Sequence, residues 1–520
     1  MSAFLGIAAT PGTATAPNAA PARRRKAKRK KTKLLSAADR NLVSKFSYGI
    51  TPALAKQVRA QGGAAAWFER QLTPGKIKDA AADRMLAWWP SLTYSAPKIW
   101  ARHIGKDEYG WQLMFSYQRW VLMRRIHSKR QVHEVMTEFW ENHLNVPVSG
   151  DAVFTYRYSY GQAIRKNALG RFDRLLHEAI VHPAMLIYLD AAVSTAEHPN
   201  ENLGRELLEL HTVGRGNYDE DDVKNSARIL TGWHVDIWDT WAATYQNEDH
   251  WRGAVQVMGF RDQNASADGR DLTRRYLTYL ARHPATAQRI ARKLCVKFVS
   301  DNPPQGLVDK LAKVYLANDT AITPVLRALV RSSAFARATG SKVRDPGEDI
   351  VATYRALGVK VAAPPRRIPD DHVVNVILWQ TSELGARPLD WPQPNGSPID
   401  NASWSSPSRL VASLDVHYGM SAGWWPTRGI TYRKPVKWLP KQVTRSGKTK
   451  RMKRVRLSVL IDHLSRELLH RKATPQLMKA CCESVGYPAS TMVDEDHPLL
   501  RWNMQRLLST FLDSPTHMAR

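Results

Sequence analysis

From residue 34 onward, apolar residues recur at intervals of three and four, the spacing of one helix face. "SAADRNLVSKFSYGI" opens with Ser36 as a cap. "TPALAKQVRAQGGAAAWFERQL" opens with Thr51 as a cap and Pro52 in the first turn. "HEVMTEFWENHL", "RFDRLLHEAIV", "PATAQRIARKLCVKFV" and "GEDIVATYRALG" carry the same period, and few stretches alternate with period two. The pattern predicts an all-α fold with a large multi-helix core over 34–358. After Gly358 the texture changes. "VAAPPRR" reads as a linker, and "RPLDWPQPNGSPIDNASWSSPSR" (387–409) holds five prolines and two tryptophans, so it is expected to be an irregular loop. Helices resume in a smaller C-terminal part within 359–520, interrupted by a basic insertion at 433–456.

One stretch is polar in a regular way: "HPNENLGRELLELHTVGRGNYDEDDVKNSARILTGWH", residues 198–234. Pro199 and Asn200 start a helix and Gly214 ends it. Asp219 caps a second helix, with Asp222 three residues on in a variant capping box. At about 100° per residue, Asn202, Arg205, Glu206 and Glu209 share one arc of the first helix, while His211 projects about 140° from Glu206. His211 therefore reads as a helix-end histidine favoured by the dipole. Asn225, Arg228 and Thr231 share one face of the second helix. A short linker makes the two helices neighbours, so Asn202, Glu206 and Glu209 are expected to meet Asn225 and Arg228 across the hairpin. Two carboxylates a turn apart can divide acid and base roles when their surroundings separate their pKa values, and an arginine between them can hold an anionic group. The competing reading is an internal ion-pair network that holds the hairpin together. "EFWENHLNV" adds Glu138, Asn142 and His143 on a helix of large apolar side chains.

Charge changes the picture at two places. Lys and Arg number 76 against 47 acids, a formal net charge of +29 over 520 residues. "RRRKAKRKKTK" (23–33) holds nine bases, and 433–456 holds eleven with no acid. Runs of like charge repel themselves and read as disordered arms, so residues 1–33 are expected to be a disordered basic arm and 433–456 an unstructured basic insertion. Both runs are candidate contacts for an anionic polymer or membrane surface. Nucleic acid is not expected, since charge alone points to it and no motif does. The N-terminus has its bases after a short apolar stretch, the reverse of an export signal, and no apolar run is long enough to span a membrane. Cys295, Cys481 and Cys482 make no disulfide framework. HExxH, CxxC, GxGxxG, P-loop and GxSxG patterns are missing from the sequence, so no metal or cofactor is expected from a local motif.

With these segments in view, the chain resembles the bacterial domain-of-unknown-function (DUF) 1800 family. The resemblance rests on "FWENHLNV", "RKNALGRFDRLLHEAIVHPAMLIYLD", "HPNENLGRELLELHTVG", "YDEDDVKNSARILTGW", "HPATAQRIARKLCVKFV" and "RPLDWPQPNGSPIDNASWSS". It implies a large, mostly helical protein and supplies no established activity. It also implies export, often by a twin-arginine signal, and an alkaline-phosphatase-like exported partner. The family pattern matches at Asn200, Glu201, Asn202, Arg205, Glu206, Glu209, Arg228, Thr231, Gly232, Trp233 and His143. The later "HDxGxK" element is eroded: His250 and Gly253 stand, but Trp251 and Val255 replace the Asp and Lys.

The expectation from residues and resemblance together is a hydrolase acting on an envelope-associated polymer or ester. Glu206 and Glu209 would serve as acid and base, Arg228 would steady an anion, and His143 would be an auxiliary proton carrier. Asn202, Arg205, Asn225, Thr231, Trp233, Trp391 and Trp404 would line the binding surface. The alternative is a non-catalytic helical protein that docks an exported partner or an anionic polymer.

Overall fold

The structure, a computed structural model, describes residues 28–444 and 446–520. Residues 1–27, most of the expected basic arm, lie outside the described residues.

Helices begin where the sequence caps them. Ser36 Oγ accepts the Asp39 amide before helix Ala37–Lys45, and Thr51 Oγ1 accepts the Leu54 amide before helix Pro52–Ala60. Each cap satisfies a donor that the first turn leaves open. Helix Gly110–His127 has large side chains on every side and buries most of them: Leu113, Tyr117, Trp120, Leu122 and Met123 are all in the core, while Trp111 is exposed. Helices Pro346–Leu357 and Val373–Glu383 pack against this helix. One apolar cluster runs from Leu35 to Leu512, so helices on both sides of residue 358 share a core. The chain end is tied into that core. The Arg520 amide donates to the Lys342 carbonyl, Lys45 Nζ donates to the Arg520 carbonyl, and the Arg520 guanidinium meets Glu348 at 2.6 Å.

The fold is mostly helical, with 25 α-helices among the described residues and only short antiparallel strands beside them. Some of those strands correct the reading of the basic runs. Lys28–Lys30, inside the arm expected to be disordered, pairs with Lys441–Val443, which pairs in turn with Thr449–Arg451. Arg454–Arg456 pairs with Met492–Asp494. The basic insertion is thus folded. Backbone pairing takes no account of side-chain charge, and several of these cations find acceptors. Arg29 reaches Asp462 at 3.1 Å, and Arg451 donates to the Leu439 carbonyl at 2.8 Å.

The 387–409 segment is irregular up to a single turn at Ala402–Trp404, and helix Pro407–Ala422 follows. In the polar stretch, helix Glu201–Glu206 runs into a π-helical turn at Leu207–His211 before helix Glu220–Ile229. Asp219 and Asp222 form the expected capping box. Among the described residues, no helix is long and apolar enough to cross a membrane.

Candidate functional site

Helix Gln131–His143 carries Glu134, Glu138 and Glu141 at i, i+4 and i+7, on one face of the helix. Buried carboxylates need partners, and arginines supply them. Glu134 pairs with Arg124 at 3.0 Å and Arg165 at 2.9 Å. Glu138 pairs with Arg125 at 3.1 Å and accepts from the Tyr48 hydroxyl at 2.5 Å. Glu141 pairs with Arg157 at 2.9 Å and accepts from the Tyr117 hydroxyl at 3.0 Å.

Just past this helix the chain meets the Pro/Trp-rich loop. Asn142 Nδ2 donates to the Ser397 carbonyl, and the Ser397 amide donates back to Asn142 Oδ1. Asn145 Nδ2 donates to the carbonyls of Trp391 and Gln393, both at 2.8 Å. Gly396 has φ +76°, and a Cβ there would sit 2.0 Å from the Asn142 carbonyl oxygen, so only glycine fits. These contacts enclose a pocket of about 70 Å³ between "FWENHLN" and "RPLDWPQPNGSP".

Of the three carboxyls lining that pocket, Glu141 is 3% exposed and held by Arg157, which leaves Glu138 and Asp345 within reach, with Arg125 and Lys297 beside them. Glu138 is 15% exposed and Asp345 21%, whereas Arg125 is 4% and Lys297 6%. Asp345 caps helix Pro346–Leu357 by accepting the Glu348 amide at 2.9 Å, and its other oxygen lies 3.4 Å from Lys297. Burial, then the negative charges of Glu348 and Glu138, push the Asp345 carboxyl up to about 6; Lys297 offsets only part of this. Burial also pushes on Glu348, but Arg520 and Lys297 outweigh it and hold Glu348 at about 2. Neighbouring carboxyls with separated pKa values can give a proton at one and hold a charge at the other.

The residues expected from the polar stretch are not brought together. The hairpin interface is made of small residues: a Cβ on Gly204 would lie 2.9 Å from the Ala227 amide nitrogen, and Ser226 Oγ donates to the Gly204 carbonyl. Helices this close meet through that face, and the polar faces turn away. Glu209 therefore pairs with Arg215 and accepts from the Tyr218 hydroxyl at 2.9 Å, rather than meeting Arg228. Glu206 has one carboxylate oxygen buried with no partner; burial and then Glu209 raise its pKa. The Arg228 guanidinium donates to Asn225 at 3.1 Å and lies 4.7 Å over the Trp251 ring, the residue standing in place of the family's Asp. Thr231 Oγ1 is buried, donating to the Arg228 carbonyl and accepting the Trp251 amide. Trp233 packs edge-on to Tyr245. Asn202 is exposed, and Arg205 pairs on the surface with Glu220.

His143 is buried elsewhere. Its Nε2 donates to the His211 carbonyl, His211 Nδ1 donates to the His143 carbonyl, and His143 Nδ1 accepts from Lys293 Nζ at 3.0 Å. Burial lowers both histidines, His211 to about 3, and lowers Lys293 to about 7. His211 is thus a core residue paired with His143, not a charged helix-end histidine. Trp391 lines the pocket, and Trp404 is buried with its Nε1 donating to the Pro398 carbonyl.

Sequence reasoning missed Asp345, Arg125 and Lys297. "DPGEDI" reads as a complete capping box, which conceals any second role for its Asp. The three glutamates at helical spacing were the available signal. A further group, Asp349, His417 and His517, has donor atoms within 4.8 Å of one another, all buried. Asp349 is already bonded by Arg409, Ser413 and His417, and His417 also by Asp513 at 2.8 Å. That donor set is satisfied by protons and guanidinium, so it fits a charged network better than a metal ion.

No curated protein and no solved structure matches the chain. The family model described as "Protein of unknown function (DUF1800)" matches residues 41–519, and on that match over nearly the whole chain the protein belongs to this family.

Proposed function

We propose that the protein is a hydrolase whose reacting carboxyls are Asp345 and Glu138. The observation that carries this reading is the Asp345 carboxyl, raised to about 6 beside Glu138 in a pocket with Arg125 and Lys297 behind both. Near neutral pH and below, Asp345 can donate a proton to a leaving oxygen. Glu138, steadied by Arg125 and Tyr48, can take the proton of a water as that water's oxygen attacks. The two cations then balance the negative charge that develops. A pocket of about 70 Å³ admits a reacting group rather than a whole sugar ring, which favours an ester linkage over cleavage within a polymer.

The test is a panel of chromogenic acyl esters assayed with wild type, Asp345→Asn, Glu138→Gln and Glu206→Gln. Loss of acid or base catalysis costs about 10²–10⁴-fold, so the first two variants should fall by at least the lower figure and Glu206→Gln should not. Wild-type activity should decline as pH rises through about 6, because the proton on Asp345 is then lost. Hydrolysis that survives Asp345→Asn but not Glu206→Gln would return the chemistry to the π-helical turn and overturn this assignment.

A second reading, a non-catalytic scaffold docking an exported partner, is supported by the apolar side of helix Pro407–Ala422. Leu410, Val411 and Leu414 are exposed there beside the loop. A folded wild type that hydrolyses none of the esters favours the scaffold.

A further inference from the structure

The two basic runs of the sequence meet in space. Through the sheet that joins Lys28–Lys30 to Lys441–Val443, they form one wall of a groove of about 1230 Å³. Lys30, Lys31 and Lys33 come from the first run; Lys434, Lys437 and Lys441 come from the second. Lys56, on helix Pro52–Ala60, and Lys360, on the strand Lys360–Val361 that pairs with Ile430–Thr431, line the same groove. All eight lysines are exposed.

Among the described residues, Glu467 is the one carboxylate lining this groove, and it is already engaged. It pairs with Arg433 at 2.9 Å and lies 3.6 Å from His463. The arginines of the groove are spent internally: Arg59 on the Lys33 carbonyl, Arg433 on the Lys437 carbonyl and Arg451 on the Leu439 carbonyl. What remains is a set of ammonium groups that, among the described residues, have no carboxylate paired with them. Cations held this close raise the local potential and concentrate anions. The crowding has a visible effect, since burial and then Arg433 lower the pKa of Arg451.

We propose that this groove binds a linear polyanion with a phosphate backbone, along its length and by charge alone. Three features of the groove select that class. Its volume far exceeds a single phosphate, so the occupant is a chain. Its free cations are lysines, compact point charges suited to phosphate, whereas planar recognition of carboxylate would use the arginine forks that are occupied here. It has a single Phe, Tyr or Trp, the half-buried Tyr432, so the groove lacks the run of platforms on which successive bases would stack. The groove shares no lining residue with the Asp345 pocket, so the two proposals stand or fall separately.

The experiment is fluorescence anisotropy of the full chain with labelled inorganic polyphosphate, over a series of salt concentrations. A single-stranded oligonucleotide and polyglutamate serve as competitors. Wild type is compared with Lys434→Gln/Lys437→Gln/Lys441→Gln. A second variant, Lys56→Gln/Lys360→Gln, leaves the three-stranded sheet of Lys28–Lys30, Lys441–Val443 and Thr449–Arg451 untouched. The control, Lys310→Gln/Lys313→Gln/Arg337→Gln, removes the same charge from exposed positions elsewhere. Both groove variants should lose affinity, the triple variant by about tenfold or more at low salt. Its plot of log affinity against log salt should flatten by about 2, as expected when three phosphate contacts to a single strand are removed. The control should bind as wild type does. Competition by the oligonucleotide better than by polyphosphate at equal phosphate would assign a phosphodiester polymer, and the reverse an inorganic chain. Equal losses in the triple variant and the control would reduce the effect to net charge and overturn the site. Polyglutamate competing as well as polyphosphate would overturn the assignment to phosphate.

Discussion

His417 sits unexposed between two carboxyls, its Nε2 3.1 Å from Asp349 and its Nδ1 2.8 Å from Asp513. Burial alone would lower its pKa, but Asp349 and then Asp513 carry it up to about 9. Against the ordinary value of 6.5, a folded value near 9 corresponds to about 3 kcal/mol of stability. Because the folded pKa is the higher one, this stability is fully present below about 6.5 and is lost as pH rises through about 9. Glutamine at this position keeps an amide donor and removes the charge. His417→Gln should therefore destabilise the protein by about 3 kcal/mol more at about pH 6 than at about pH 10. Urea unfolding followed by tryptophan fluorescence measures both values. Lys45 and Lys293, pushed down to about 7, mostly by burial, make wild-type stability rise with pH over the same range, so the comparison is between wild type and variant at each pH. An equal loss at both pH values would mean that His417 is a neutral hydrogen-bonding residue, and the charged bridge would be refuted.

Two further outcomes follow from contacts described above. Gly396→Ala forces a side chain against the Asn142 carbonyl in a left-handed backbone conformation; it should cost about 1–3 kcal/mol and speed proteolysis within 387–409, and an unchanged cleavage rate would show that the loop is not pinned there. Glu206→Gln removes a charge that forms no ion pair among the described residues and that Arg205 and Arg215 offset only in part. Since the folded pKa is raised, the cost of that charge is present above it and disappears as pH falls, so the variant should melt at the same temperature as wild type or slightly higher at neutral pH, with no gain at low pH. A clear drop in melting temperature at neutral pH would reveal an ion pair that the structure does not contain.

What the sequence determined by itself is what depends on near neighbours. Caps at Ser36, Thr51 and Asp219 concern a side chain and an amide two or three residues on, and the helical period of the core is a property of each segment. Family membership was legible in the same way, from long local stretches such as "NENLGRELLELHTVG". The tertiary structure decided everything that needed a distant partner. Glu138 and Asp345 lie 207 positions apart in the sequence, and what joins them is the packing of helix Pro346–Leu357 near helix Gln131–His143. Arg228 met Trp251 instead of Glu206 because Gly204 and Ala227 set the hairpin interface, and a helix wheel carries no information about which face a neighbour will take. The wheel itself failed after Glu206, where the π-helical turn at Leu207–His211 widens the coil and buries His211 beside His143. The basic runs read as free arms because like charges repel along a chain. Backbone pairing across more than 400 residues overrode that repulsion and gathered them into one groove, since ladder hydrogen bonds are indifferent to the charge their side chains carry.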